Sequence, residues 1–174
     1  MEEKKIMTHI VKGVLVSLIL IVLGLIGYFA KMEDQAWFRW STNLLLCGLI
    51  IWGCVYYANQ MNNHVTFGNV FVHGFKMSVV IALILVVYTM LSVTILFPDM
   101  KDKALEVARK KMEDKGSLSD ADIDKTIDMI KKYFTVVLIG ALLLGTLFFG
   151  TISSLIGAAV AKKKPFNPLE QLDT

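Results

Sequence analysis

His73 and Lys76 stand one helical turn apart at the start of a long apolar run. At that spacing an imidazole and an ammonium share a helix face, where they can meet the phosphate of a lipid headgroup or of a polyprenyl carrier. The plainer reading has Lys76 snorkelling to the headgroups and His73 resting in the interface. His64 stands alone in a polar connector and is given no catalytic role.

Asp120, Asp122 and Asp124 open like a calcium loop, but the required glycine falls on Lys125 and the bidentate glutamate on Lys131. These acids read instead as a favourable helix N-terminus. Cys47 and Cys54 lie seven apart in one apolar block, and a helix separates such residues by roughly 10 Å, too far for a disulfide. They read as packing residues. The sequence has no cysteine–histidine cluster, phosphate-binding glycine loop or activated-serine motif. No catalytic residue, metal or cofactor is therefore expected, and the chain is expected not to be an enzyme.

The elements that carry these residues are dictated by hydropathy. Of the 174 residues, 55% are hydrophobic and only 19% charged, and the apolar residues fall in blocks with the charges between them. A water-soluble core would interleave the two at helical or strand period, whereas a bilayer needs about 20 consecutive apolar residues per helix. Four such blocks run over about 13–30, 40–58, 77–97 and 134–161, the first read as an uncleaved signal anchor behind Lys4, Lys5 and Lys12. Trp37, Phe38 and Trp40 at one end of the second block, and Trp52, Tyr56 and Tyr57 at the other, match two membrane interfaces. The connector Asn59 to Asn69 is polar, and the third helix is expected to start in the interface before crossing. The fold expected is an all-α integral membrane four-helix bundle.

Between the third and fourth spans, residues 98–132 carry nine basic and nine acidic residues. Pro98 ends the third span. Leu105, Ala108 and Met112 share a face, Asp99 with Lys103 and Glu106 with Lys110 make i,i+4 pairs, and Gly116 and Ser117 break the run. Ser119 with Asp122 starts a second helix whose Ile123, Ile127, Ile130 and Phe134 recur at coiled-coil spacing. A charged helical hairpin outside the bilayer follows, with Ser119 to Ala161 expected as one continuous rod. Lys162 to Lys164 stop transfer, and Pro165 and Pro168 keep the tail out of helix.

Four spans put both termini on one side. Lys4, Lys5, Lys12, Lys76 and Lys162 to Lys164 would lie there, against Lys31, Arg39 and the nine basic residues of the hairpin. The count alone favours the opposite orientation, but the unbalanced lysine cluster directly at a membrane end favours cytoplasmic termini.

Helix association in lipid depends on close approach through small residues. Ala141, Gly145, Ser153, Gly157 and Ala161 lie on one i,i+4 line of the fourth span and offer either internal packing or a seam for a partner or second copy. Spans one, two and four have no ionisable residue well inside the apolar run, which disfavours a proton-coupled transporter. The net charge of +3 is too small and scattered for nucleic acid.

The stretch Thr66, Phe67, Gly68, Phe71, Gly74 and Phe75, together with the four spans, the charged insertion and the lysine-terminated fourth helix, resembles the bacterial membrane family catalogued as domain of unknown function 4199. The resemblance covers nearly the whole chain and implies a four-helix membrane protein with no assigned activity and no catalytic residues to carry over. It also implies a weak link to envelope assembly. The function expected is a non-catalytic accessory or scaffold subunit of the bacterial inner membrane. The alternative is a transporter or flippase component for a lipid-linked or amphipathic substrate, with a crevice lined by Thr89, Ser92, Thr94, His73 and Lys76. The expected partners are the lipid bilayer and a membrane protein or second copy.

Overall fold

The computed structural model describes residues 7–32, 35–116 and 119–164; Lys4, Lys5, Ser117, Pro165 and Pro168 lie outside them. The described residues form α1 (His9–Phe29), α2 (Ala36–Gln60), α3 (Phe67–Leu91), α4 (Met100–Lys115), α5 (Asp120–Lys132) and α6 (Phe134–Val160), with a π-helical stretch Ser92–Leu96 continuing α3. Four of these, counting α3 with its π extension, are long and apolar enough to cross a bilayer, at 21 to 30 residues each.

The first three spans start earlier than their apolar blocks, and in α1 and α3 a side-chain cap sets the start, while α6 begins at Phe134 with its block. Thr8 accepts the amide of Val11 at 3.3 Å and so starts α1 at His9, one turn before Gly13. Thr66 accepts the amide of Asn69 at 3.2 Å and starts α3 at Phe67, well before the apolar run at Met77. The C-terminus of α1 closes in a Schellman turn: the Met32 amide reaches Gly27 O at 2.9 Å and the Lys31 amide reaches Tyr28 O at 3.1 Å, with Lys31 left-handed at φ 55°. Asn62 and Asn63 close α2 in the same way.

The chain divides into two compact units, Met1–Ile84 with Gly145–Thr174, and Leu85–Leu144. In the first, Val16, Leu20, Leu46, Ile50, Cys54, Val70, Met77, Ile81 and Ala158 make the core. Outward-facing Leu18, Val22, Ile26, Leu44 and Leu83 are exposed, an apolar surface that water would not tolerate and hydrocarbon would.

The second unit contains the hairpin. Gly116 caps α4 at φ 60°, a left-handed position that suits glycine. Ser119 caps α5, accepting the Asp122 amide at 3.3 Å and donating to its carboxylate at 2.6 Å. Leu105, Ile123 and Phe134 are buried, and Arg109 bridges the two helices by donating to Asp124 at 2.6 Å while also holding Glu113 at 3.0 Å. Asp99–Lys103 and Glu106–Lys110 pair at 3.3 Å each, as their spacing predicts. The continuous rod from Ser119 to Ala161 is not formed. Tyr133, at φ −107° and ψ 18°, leaves helical geometry between α5 and α6, although its amide and carbonyl still bond to Met129 and Val137.

Candidate functional site

Within the first unit, the end that brings together the start of α1, the end of α2 and the start of α3 holds an unusual concentration of nitrogen groups. Lys12 has no exposed surface. Its Nζ donates to Gly53 O at 3.4 Å, lies 3.3 Å from His73 Nε2, and stands 4.9 Å above the Tyr56 ring. Gly53 makes room for Met77, whose Cε a Cβ there would meet at 2.8 Å, while Lys12 Cδ would stand at an ordinary 4.0 Å.

An ammonium has hydrogens to give and no lone pair to receive, so His73 Nε2 is the acceptor and the ring proton sits on Nδ1. His73 is buried and lies flat on Tyr57, with ring centroids 4.0 Å apart and planes at 11°. His9 meets it edge-on at 5.9 Å. Above this layer opens a cleft of about 610 Å³, walled by Thr8, His9, Tyr57, Asn69, His73 and Lys76 among others.

The first unit has no carboxylate among its described residues; every described Asp and Glu lies between Asp99 and Asp128. No ion pair of Lys12 exists among the described residues, and no group of three or more His, Cys, Asp or Glu could hold a metal there. The described residues of the site are thus a set of donors and aromatic faces suited to an anion.

His73 and Lys76 both line the cleft, the first buried against its neighbours and the second exposed. Lys12, read from hydropathy as flank, is inside α1. The signal that locates it is Thr8, a cap residue four positions earlier, which places Lys12 within the first helical turns. The same cap makes His9 the first residue of α1. His64 does not line the cleft.

The small residues of α6 do not act as one line. Ser153, Gly157 and Ala161 are buried, and a Cβ on Gly157 would meet Cys54 Cβ at 2.7 Å, but Ala141 is exposed and Gly145 faces open space. An i,i+4 line drifts by about 40° per step, so Ala141 and Ala161 cannot share a face. Gly150, off that line, is packed instead, with Ser78 within 2.5 Å of where its Cβ would be. Cys47 and Cys54 are free thiols, and Cys54 donates to Val70 O at 3.8 Å.

In the motif, Thr66 caps α3, Phe67 is exposed with Lys163 Nζ 5.7 Å from its ring, and Gly68 lines the cleft. Phe71 and Phe75 stack at 6.1 Å, and Gly74 lies against Cys54 and Ser154. Thr94 returns its hydroxyl to Met90 O at 2.7 Å, spending it on its own helix.

Four long apolar helices with lipid-compatible outer faces, joined between the third and fourth by a charged hairpin, suggest a multi-pass membrane protein. Within that class the chain belongs to the DUF4199 family, described as proteins of unknown function, which it matches over residues 12–163. No curated protein and no solved structure matches it.

Proposed function

We propose that the protein is a non-catalytic accessory subunit of the bacterial inner membrane, with both termini cytoplasmic, that holds a membrane-protein partner during envelope assembly. The observation that carries this reading is Arg109 bound at once to Glu113 and Asp124, which fixes α4 against α5 as a shaped, charge-balanced surface in the segment between two spans. The orientation rests on Lys162 to Lys164 at a membrane end.

The test is photo-crosslinking in cells from Lys111 and Lys125, both exposed on the hairpin. A discrete adduct with one membrane protein, lost in the Arg109→Ala variant, is the expected result. A bare monomer from both positions, with nothing captured, overturns the reading.

A second reading, a component of a transporter or flippase for a lipid-linked substrate, is favoured by one feature alone, the cleft beside His73 and Lys76. It requires the cleft to lead across the bilayer, so transport of a headgroup-labelled lipid in proteoliposomes decides it.

A further inference from the structure

We infer that the cleft at the N-terminal ends of α1 and α3 binds a phosphate-bearing anion, with His9 and Lys76 at its wall and Lys12 contributing positive charge from behind His73. This goes beyond the accessory-subunit reading and does not depend on any partner.

Lys12 provides the first reason. Its hydrogens are met by a carbonyl, an imidazole and an aromatic face, all neutral, so its hydrogen bonds are satisfied and its charge is not. A buried ammonium without a counter-charge is strongly disfavoured, and no described residue of this unit supplies one. An anion in the cleft would, because His73 both touches Lys12 and faces the cleft.

The donors around the cleft make the second. Lys76 offers an ammonium and His9 an imidazole. Residues of the first turns of α1 and α3 line it too, and both helix dipoles favour negative charge at those ends. Donors arriving from several directions suit the tetrahedral spread of phosphate oxygens better than a planar carboxylate.

Position and size agree. The cleft lies at the bundle end that also bears Tyr56, Tyr57 and, bonded to Asn63 O through its amide at 2.9 Å, Lys164. Aromatic rings and lysines at a span end mark the headgroup layer, where phosphate is the prevailing anion. At about 610 Å³ it has room for a headgroup.

The full chain in a neutral detergent is titrated with short-chain phosphatidylglycerol, with diacylglycerol of the same chains, and with inorganic phosphate, following ³¹P line broadening or retention in native mass spectrometry. Phosphatidylglycerol is expected to bind in preference to diacylglycerol, with Lys76→Gln weakening it by about fivefold and His9→Gln/Lys76→Gln further. Lys31→Gln, at the other end of α1, is expected to leave it unchanged. Competition by inorganic phosphate would identify the free anion as sufficient, and binding of phosphatidylglycerol alone would identify a lipid. Equal binding of the two lipids, or a His9→Gln/Lys76→Gln variant that binds as well as the native chain, overturns the inference. Lys76 is exposed, so its variant folds whether or not the site exists.

Discussion

Nζ of Lys12 lies 3.3 Å from Nε2 of His73, a contact between residues 61 apart that ties the first turns of α1 to α3. The whole lysine side chain is buried, so the residue acts through volume as well as charge. Lys12→Ala should cost about 2–5 kcal/mol, the range for emptying a packed site. Lys12→Met keeps the volume and removes a charge with only neutral partners, and should cost less than about 1.5 kcal/mol. Unfolding of both variants in one detergent checks this; equal losses would mean that the ammonium, not the packing, carries the stability.

Glycines on the packed faces separate in the same way. A Cβ on Gly74 would strike Cys54 Sγ and come within 2.7 Å of Ser154 Oγ, whereas one on Gly145 would meet nothing within 4 Å. Gly74→Ala is expected to destabilise by about 1–3 kcal/mol, and Gly145→Ala to be neutral or stabilising by up to about 1 kcal/mol through helix propensity. Gly145→Leu should be tolerated as well. If it instead breaks an oligomer detected by size and cross-linking, that face is a seam between chains.

What could be read from the sequence was local or directly about solvent. The centres of the spans follow from hydropathy, and Ser119, Asp99–Lys103 and Glu106–Lys110 follow from helical spacing, since each partner lies within four residues. Lys12 could not be read this way: Gly53 and His73 are 41 and 61 residues away, and nothing local says that a lysine near a span end turns inward instead of snorkelling. Gly150 is hidden for a related reason, because the residue packed against it, Ser78, lies far away in the sequence on α3. The break at Tyr133 has no proline or glycine to announce it.

The hairpin should respond to acid but not to mild alkali. Asp99, outside the spans, has its carboxyl held below the ordinary range, first by its own backbone amide and then by the Lys103 ammonium. A carboxylate depressed in the folded state adds stability above its unfolded value, and that stability is lost as pH falls through the folded value. Amide-exchange protection at the start of α4 should therefore stay constant from neutrality to about pH 5 and fall only in stronger acid. Asp99→Asn should remove that acid step. Arg109, raised above its usual value by Glu113 and then Asp124, stays charged in alkali, so the α4–α5 contact should weaken with salt but not as the pH is raised.

Lys31 closes α1 with φ 55°, where a Cβ crowds the following carbonyl and glycine does not. The two Schellman bonds, from Met32 to Gly27 and from Lys31 to Tyr28, hold it there regardless of side chain. Lys31→Gly keeps both bonds and relieves the crowding, while the more flexible unfolded chain takes back part of the gain. The net should be a stabilisation of about 0.5–1 kcal/mol, or roughly 1–4 °C in Tm for a chain of this length. Lys31→Val, whose branched Cβ is least tolerant of that region, should shift Tm the other way. Both substitutions remove the same charge, so a common shift would trace the effect to the ammonium and opposite shifts to the backbone.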